Sequence, residues 1–367
     1  MAKKSDPIIN IIELDARDAR YQSGIVRYMN VLGAHMPKNV RTFRIMCEYS
    51  PEYTGIKMER TDDGVRITYP FGFPLDTMIN GIVMWLAPML SKMENIIIKC
   101  NCMGIEALCY AIRARIYCRC IGVLHFSPLR ANPNPAGNPF FNMDHIISVC
   151  ATGKGFLTTL NNRRPVSVIY NGIDAPTVRK KSKATDGVFR FIFPGGWAPH
   201  KGFAKIIPAI KRVAATHQIE VLVTGGGDVP DDIRREIDGL PIRVMGYVAY
   251  GDEMDKIYAM ADCALFASVS EACSFAGIEA MAHNLAIVSN DTPGLREMFG
   301  SAALYASVND KSEINVDEYA DRMIQMIDRP RTRTQSAIRA YSQYLRHYTA
   351  TRMARDTLDL YYRLLGI

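Results

Sequence analysis

The sequence lacks the long apolar run that a membrane-spanning helix requires. Its most apolar stretch, residues 78–90, is interrupted by Asn80, Gly81 and Pro88. It is also shorter than the roughly 20 residues that cross a bilayer as a helix. The stretch therefore predicts a helix in a protein core, and a helix lying on a membrane interface is the alternative.

The nine cysteines lack the spacing of a disulfide framework or of a zinc site. Most of them lie inside apolar runs, and the close pairs Cys100/Cys102 and Cys118/Cys120 have a one-residue gap, which is too short for an ordinary zinc pair. The count is odd, and no secretory leader is recognisable. We expect packed, reduced thiols in a cytoplasmic protein, or in one attached peripherally to the inner face of a membrane.

Three motifs that bind metals or nucleotides are also missing. No Asp-x-Asp pair is present to hold a metal ion on a diphosphate. The segment around Lys201 lacks the Gly-Lys-Ser/Thr order of a phosphate loop, and the glycines at 225–227 lack the spacing of a dinucleotide fingerprint. We therefore expect no cofactor and no metal requirement.

Length and composition indicate two globular domains. The 367 residues are 48% apolar and 22% charged, which suffices for two cores of ordinary size. The net charge of +7 is uneven, because residues 1–175 carry 20 Lys and Arg against 14 Asp and Glu, which gives +6. This excess, with Arg130, Arg163 and Arg164, suits an anionic acceptor or a membrane surface, although it could serve solubility alone.

Buried strands alternate with helices in the first half, which predicts a parallel α/β sheet. Residues 8–12 form an apolar run, and a helix opens at Ser23 and Gly24. His125 follows the apolar run 120–124 and therefore lies at the carboxyl end of a strand, where open α/β sheets bind ligands. An ordinary histidine after a strand is the alternative interpretation.

The second half repeats this alternation and places glycines and a lysine after its strands. Residues 194–202 follow the strand at 189–193 and combine Gly196 with Lys201, a pairing that can cradle a phosphate. A later strand leads into the tripeptide Gly246, Tyr247 and Val248.

The stretch 267–282 carries the strongest functional pattern. An apolar strand at 263–267 passes into a helix, with Glu271 before the helix and Glu279 in its second turn. The first turn of a helix offers unpaired N–H groups and the positive end of a dipole. Two carboxylates around such a turn suit a polar, anionic ligand, and the pattern indicates a nucleotide-sugar site.

In the order of these motifs, the chain resembles retaining glycosyltransferases of the GT-B fold, family 4 type. The residues that carry the resemblance are the glycine–lysine loop ending at Lys201, Gly246-Tyr247-Val248, Glu271-x7-Glu279 followed by Ala280-Met281-Ala282, and Pro293-Gly294-x-x-Glu297. Weaker matches in the first half, in the family's order, are Ser23-Gly24, His125 and Asn171-Gly172-Ile173-Asp174.

The resemblance implies an α/β fold with two Rossmann-like β/α/β domains facing a cleft. It also implies a C-terminal helix that returns to the N-terminal domain. On this basis we place an acceptor-side domain at 1–174, a linker at 175–187, a nucleotide-sugar domain at 188–345 and the returning helix at 346–367.

The resemblance further implies roles for single residues. Glu279 would bond the ribose hydroxyls, Glu271 the hydroxyls of the transferred sugar, and Lys201 would neutralise the leaving diphosphate. His125 would orient the reacting sugar or the acceptor. The other donor contacts would come from Gly24, Gly196, the backbone of Ala272, Cys273, Ser274 and Phe275, and, at the base, Gly246, Tyr247 and Val248.

The implied reaction moves a sugar from a nucleoside-diphosphate sugar to an acceptor, with retention of anomeric configuration and without a metal. The acceptor would be a glycan, lipid or peptide that is anionic or membrane-linked; no nucleic acid is expected, and the oligomeric state is open. The alternatives are a nucleotide-sugar epimerase, a phosphorylase-like enzyme on the same fold, or a non-catalytic nucleotide-sugar-binding protein.

The sequence departs from the family at two points. Gly196 stands where the family usually has an arginine, which removes a cation and favours the non-catalytic alternative. Ser274 and Ala276 stand where the family usually has glycines, which suggests a change in the sugar that fits.

Overall fold

The computed structural model describes residues 6–18, 24–50, 55–69, 75–101, 105–125, 139–159, 164–178 and 186–367. Contacts divide the chain into two compact units, the first comprising Met1–Tyr170 and Ala350–Ile367 and the second comprising Asn171–Thr349. Ser23, Cys102, Arg130, Arg163 and residues 179–185 of the predicted linker lie outside the described residues. The domain bounds inferred from the sequence stay predictions.

The first unit is an α/β unit with helices between most of its strands. Its strands are β1 (Ile9–Asp18), β2 (Val40–Tyr49), β3 (Lys57–Thr61), β4 (Gly64–Tyr69), β5 (Ile96–Cys100), β6 (Arg119–Leu124), β7 (His145–Ser148) and β8 (Val166–Val168). Its helices are α1 (Gly24–Ala34), α2 (Leu75–Leu90), α3 (Glu106–Arg113), α4 (Ala151–Thr159) and the C-terminal α12 (Ala350–Leu365), with a 3-10 turn at Pro139–Asn142.

These strands form one sheet in the order β3-β4-β2-β1-β5-β6-β7-β8. All neighbours pair in parallel except β3 and β4, which form an antiparallel hairpin. The turn-prone sequence Asp62-Asp63-Gly64 between two short strand-like segments predicts such a hairpin. Strand β1 continues to Asp18, beyond the predicted end at residue 12, because it pairs along the whole length of β2. The strand order reverses between β1 and β5, and the central strands are near-continuous apolar runs, as expected for a sheet covered on both faces.

Two helices of the first unit bear on the sequence predictions. Helix α2 buries Ile79, Val83 and Leu86 in the core, which confirms that the most apolar stretch forms a core helix. Helix α12 packs against α1, and Arg352 at its start donates to the carbonyl of Tyr170 at 2.6 Å. None of the described helices is both long enough and apolar enough to cross a membrane.

The second unit alternates strands and helices more regularly. Its strands are β9 (Phe189–Phe193), β10 (Ile219–Thr224), β11 (Ile242–Gly246), β12 (Cys263–Phe266), β13 (Ala286–Asn290) and β14 (Ala303–Ala306). Its helices are α5 (Phe203–Ala214), α6 (Asp231–Ile237), α7 (Asp252–Met260), α8 (Phe275–Ala282), α9 (Pro293–Phe299), α10 (Val316–Asp328) and α11 (Pro330–His347), with a 3-10 turn at Pro199–Lys201.

All six strands of this sheet are parallel, in the order β11-β10-β9-β12-β13-β14. This is the doubly wound order, and its direction reverses between β9 and β12. Both units are therefore Rossmann-like α/β units, as predicted. In the second unit, a ligand is expected where the loops after β9 and β12 meet, because the crevice of a doubly wound sheet opens at the reversal.

Candidate active site

The loops after β9 and β12 pack tightly on each other. The N–H of Val269 donates to the carbonyl of His200 at 2.9 Å. Gly202 has φ +77°, and a Cβ there would lie 2.1 Å from the carbonyl oxygen of Ala267. Only glycine combines this left-handed backbone with so close an approach. The two loops therefore form one rigid edge at the point where the strand order reverses.

This packing brings Lys201 and Glu271 together. The ammonium of Lys201 lies 2.5 Å from Oε1 of Glu271, and the same oxygen accepts from the hydroxyl of Ser268 at 3.0 Å. The side chains of Lys201 and Glu271 are 25% and 11% exposed. The pair borders a small pocket that is also lined by Gly195, Ser268 and Ser274.

Neighbouring strands hold the loop that carries Glu271. The carbonyl of Ser268 accepts from the Asn290 amide at 3.0 Å and lies 3.4 Å from the hydroxyl of Thr292. A Cβ on Gly294 would lie 2.0 Å from the carbonyl oxygen of Glu271. This contact explains why the Pro-Gly pair of the sequence motif has a glycine, since any side chain would displace the loop that carries Glu271.

The N-terminus of α8 lies beside this pair. Ser274 is its N-cap, and the Ser274 hydroxyl accepts from the N–H of Gly277 at 3.4 Å. The side-chain amide of Asn171 donates to the carbonyl of Cys273 at 2.9 Å, which holds the peptide that leads into the helix. The remaining N–H groups of the first turn and the helix dipole make this end a site for an anion.

Glu279 lies deeper, in the second turn of α8. It is 6% exposed, and its Oε2 accepts a hydrogen bond from the hydroxyl of Tyr258 on α7 at 3.1 Å. Glu271 and Glu279 therefore differ in setting, because Glu271 borders the pocket with a lysine while Glu279 is held among buried groups. This difference suits the predicted division between sugar and ribose, which stays a prediction.

Glycines lie at the carboxyl ends of β9, β10 and β11, the three strands on the other side of the point where the strand order reverses. The N–H of Gly196 donates to the carbonyl of Thr224 at 2.8 Å, and the N–H of Gly225 donates to the carbonyl of Gly246 at 2.9 Å. Gly196 has φ +60°, and a Cβ there would lie 3.1 Å from Cα of Gly225. The backbone thus gives a steric reason for glycine where the family usually has arginine. Tyr247, 62% exposed, follows at the end of β11 with the half-buried Val248.

The first unit contains the two remaining predicted site residues. Gly24 is the first residue of α1, and His125 directly follows β6. The edge of the His125 ring meets the ring of Tyr28, with centroids 4.7 Å apart, and His125 Nε2 has no hydrogen-bond partner among the described residues. Burial, and secondarily the positive charge of Lys99, lowers the pKa of His125 to about 3. The imidazole is therefore neutral near pH 7 and a poor proton acceptor.

The sequence did not predict a buried ion pair near His125, which is formed by Lys99 and Glu13. Lys99 on β5 is fully buried, and its ammonium lies 2.7 Å from Oε1 of Glu13 on β1 and 4.6 Å from the ring centre of Tyr28. Arg44 approaches the other carboxylate oxygen of Glu13 at 3.4 Å. Burial by itself would lower the pKa of Lys99, but the charge and hydrogen bond of Glu13, together with Tyr28 and Tyr361, raise it.

Within the second unit, the structure brings together Lys201, Glu271 and the segment from Ala272 to Phe275. Gly196 and Gly246 lie in neighbouring loops at the same sheet edge, whereas Gly24 and His125 belong to the first unit.

Three supporting side chains had no role predicted from the sequence: Ser268, Tyr258 and Asn171, which was noted only as part of a weak motif match. Ser268 could have been found as the small polar residue at the strand end, whereas nothing in the pattern of α7 distinguished Tyr258. Among the described residues, no three His, Cys, Asp or Glu side chains cluster as a metal site would require.

The second unit and parts of the chain are similar in sequence to known glycosyltransferases. Residues 188–329 match the family described as Glycosyl transferases group 1. The chain is 28% identical over 149 residues to the uncharacterised glycosyltransferase MJ1607 of Methanocaldococcus jannaschii, covering 36% of this chain and 38% of that protein. It is 25% identical over 174 residues to the O-antigen chain mannosyltransferase RfbU of Salmonella typhimurium, covering 46% and 48%. The chain thus matches less than half the length of each of these curated relatives.

The fold of the whole chain is found among solved structures. HepE of Anabaena, in complex with UDP and glucose, superposes with a TM-score of 0.73 at 14% identity, over 96% of this chain and 99% of that chain. The architecture is that of GT-B glycosyltransferases. Together with the family match of the second unit, it confirms the resemblance to GT-B glycosyltransferases, whereas the retaining, family 4 type stays a prediction.

Proposed function

We propose that the chain transfers a sugar from a nucleoside-diphosphate sugar to a glycan, lipid or peptide acceptor, with retention of anomeric configuration and without a metal ion. The observation that carries the proposal is the meeting of Lys201, Glu271 and the N-terminus of α8 where the strand order reverses. A cation, a carboxylate and a helix N-terminus are the groups that a sugar diphosphate requires.

The difficult step in such a transfer is departure of the diphosphate from an oxocarbenium-like sugar carbon. Lys201 and the N–H groups that begin α8 would stabilise the negative charge that develops on the leaving group. The incoming diphosphate would take over the ammonium that now pairs with Glu271. Glu271 would then be released to accept hydrogen bonds from hydroxyls of the transferred sugar.

His125 would act in this scheme as a neutral residue. An imidazole with a pKa near 3 neither carries a positive charge at pH 7 nor removes a proton effectively. This supports a role in orienting the sugar or the acceptor through a hydrogen bond, and it argues against general base catalysis by His125.

Relatives support the donor class more than the acceptor. The complex of HepE contains UDP and glucose, and the name of RfbU describes a mannosyltransferase. These names are consistent with a hexose donor activated by a nucleoside diphosphate. The basic excess of residues 1–175 is the sequence feature that favours an anionic acceptor.

The proposal is tested first by binding and then by product analysis. A thermal-shift screen with UDP, GDP, ADP and their sugars should show one preferred base, since a ligand that binds the folded state raises the melting temperature. The stabilising nucleotide sugar is then supplied with candidate acceptors, and NMR of the product reads the anomeric configuration. Sugar on a separate acceptor supports transfer, whereas an epimerised donor or free sugar phosphate supports the alternatives. EDTA should leave the rate unchanged, and a steep loss would contradict the metal-free mechanism.

A further inference from the structure

The carboxylate of Glu279 is held by a tyrosine from a neighbouring helix. The Tyr258 side chain is fully buried, and its hydroxyl lies 3.1 Å from Oε2 of Glu279 and 3.1 Å from the carbonyl oxygen of Ala276. A hydroxyl has a single hydrogen to donate, and an ionised carboxylate is the stronger acceptor of the two. Tyr258 therefore fixes one carboxylate oxygen of Glu279 in place.

A histidine at the end of α8 holds the ring of Tyr258. The two rings stack with centroids 4.8 Å apart and an interplanar angle of 23°. His283 is itself 7% exposed, with Nδ1 at 2.9 Å from the carbonyl oxygen of Glu279 and Nε2 at 3.2 Å from Oδ1 of Asp255. The contact of Nδ1 with the Glu279 carbonyl, together with burial of the ring, fixes the plane against which Tyr258 stacks.

Asp255 completes the chain of contacts. Its second oxygen, Oδ2, accepts from the backbone N–H of Thr177 at 2.9 Å. The Thr177 hydroxyl lies closer to Oδ1 of Asp252, at 2.5 Å. The Thr177 N–H thus ties the Asp255 side chain to another segment, with its Oδ1 lying against the His283 ring. Asp255, His283 and Tyr258 form a continuous buried support behind Glu279, which we call the Glu279 support.

We propose that Tyr258 is a positioning residue that, backed by His283 and Asp255, orients the Glu279 carboxylate toward a vicinal diol and makes the site select ribonucleoside over 2′-deoxyribonucleoside diphosphates. The inference rests on the proposed function, in which Glu279 binds ribose. A carboxylate free to rotate adapts to a ligand with one hydroxyl. A carboxylate fixed at one oxygen presents a set geometry, and loses a hydrogen bond when a hydroxyl is missing. Buried polar groups left unpaired in this way are what make such sites selective.

The test compares nucleotides that differ by one hydroxyl. Calorimetric titration measures Kd for UDP, GDP and ADP and for their 2′-deoxy counterparts with the wild-type chain, Tyr258→Phe and Tyr344→Phe. Tyr344 is the matched control, because it is a buried tyrosine of the same unit whose hydroxyl lies 3.3 Å from a backbone carbonyl, that of Ile173. We expect the wild type and Tyr344→Phe to prefer the ribonucleotide of the best base by about 10-fold or more, the effect of one hydrogen bond to a charged group.

In Tyr258→Phe, we expect this preference to fall to about threefold or less, mainly through weaker binding of the ribonucleotide. A merely structural role of Tyr258 would weaken both nucleotides equally and leave the ratio intact. Asp255→Asn, in which the altered side chain lies behind His283, should shift the ratio in the same direction. It serves as the second variant if Tyr258→Phe does not fold.

The possible results distinguish a failure of the proposed function from a failure of the inference about Tyr258. Wild-type protein that binds none of the six nucleotides would overturn the proposed function and this inference with it. A wild-type preference for ribonucleotides that survives in both Tyr258→Phe and Asp255→Asn would overturn the inference alone, as would a wild type that does not distinguish the two sugars.

Discussion

Each unit of the chain contains a lysine–glutamate pair, and the two pairs differ in their access to water. Lys99 and Glu13 pair between neighbouring strands of the first sheet, with side chains 0% and 4% exposed. Lys201 and Glu271 pair between two loops at the edge of the second sheet, with side chains 25% and 11% exposed. The buried pair can only hold the fold, whereas the accessible pair can exchange its partner for an incoming anion. Exposure, rather than residue type, thus separates an ion pair confined to the core from one that a ligand can reach.

The largest effect should come from breaking the buried pair. Glu13→Gln leaves the Lys99 ammonium fully buried without its carboxylate, and we expect the free energy of unfolding to fall by about 3–5 kcal/mol. Lys99→Met should cost less, because Arg44 still lies 3.4 Å from Glu13. Urea unfolding measures both, and the two tryptophans, Trp85 and Trp197, report on different units.

The double variant Glu13→Leu/Lys99→Met sharpens this result. Because it removes both charges together, it should recover much of the stability that Glu13→Gln loses. A double variant as unstable as Glu13→Gln would show that packing, and not charge, explains the loss.

For the accessible pair, Lys201 and Glu271, we expect the opposite: a large effect on activity and a small effect on stability. Lys201→Ala is expected to lower kcat/KM by about 10²-fold, because the leaving diphosphate loses a positioned cation. The change in unfolding free energy should stay within about 1 kcal/mol, since partly exposed pairs contribute little. Lys205→Ala is the control: that lysine lies on the adjacent helix and donates to the carbonyl of Ser312 at 2.9 Å. Equal activity in both variants would remove Lys201 from the mechanism.

A smaller effect on stability should follow from adding a positive charge at Gly196, in the loop after β9. Gly196→Arg restores the arginine usual in the family, but at φ +60° and against Gly225. We expect a loss of about 1–2 kcal/mol in stability from the left-handed backbone, and no gain in turnover. Gly155→Arg is a control for added charge, because a Cβ at Gly155 has no neighbour within 4 Å. A stable Gly196→Arg variant with higher activity would show that the missing cation, and not the backbone, limits this site.

At neutral pH the smallest effect is that of His125, which changes stability only as the pH falls. Its lowered pKa means that the folded state holds the ring neutral, so this stability is complete above the unfolded pKa of about 6.5. It is lost as the pH falls toward the folded value of about 3, at up to about 1.4 kcal/mol per pH unit. NMR titration of the His125 ring protons should show no inflection above pH 5. An inflection near pH 6.5 would contradict the buried, neutral ring.

The sequence supported prediction of the accessible site better than of the buried one. Lys201 and Glu271 lie between a strand and a helix, and Glu279 lies in the second turn of the helix after Glu271, so local pattern alone places them near the carboxyl edge of a parallel sheet. The Asp-Asp-Gly turn likewise predicted the β3–β4 hairpin. Lys99 and Glu13 lie within apolar runs, and nothing local reveals that β1 and β5 become neighbours in register. Tyr258 was missed for the same reason, since its partner Glu279 is 21 residues away on another helix.

The local sequence pattern also gave no reason for glycines that are required by backbone contacts in the folded protein. From the sequence alone, Gly196 was interpreted as the loss of a positive charge. The steric reason for a glycine there is its close contact with Gly225, which depends on how the ends of three strands pack. Gly294 read as part of a motif, although its reason is contact with the carbonyl of Glu271. Such requirements arise from packing between segments and become visible only in the folded structure.

The most direct test of the account is the ratio of diphosphate to monophosphate affinity. Calorimetry measures it with UDP against UMP, GDP against GMP and ADP against AMP, for the wild-type chain, Lys201→Ala and Lys205→Ala. The account predicts that the wild type and Lys205→Ala prefer one diphosphate by about 10-fold or more, and that Lys201→Ala loses most of this preference. An unchanged ratio in Lys201→Ala would contradict the central claim that Lys201, in the accessible lysine–glutamate pair, binds the diphosphate.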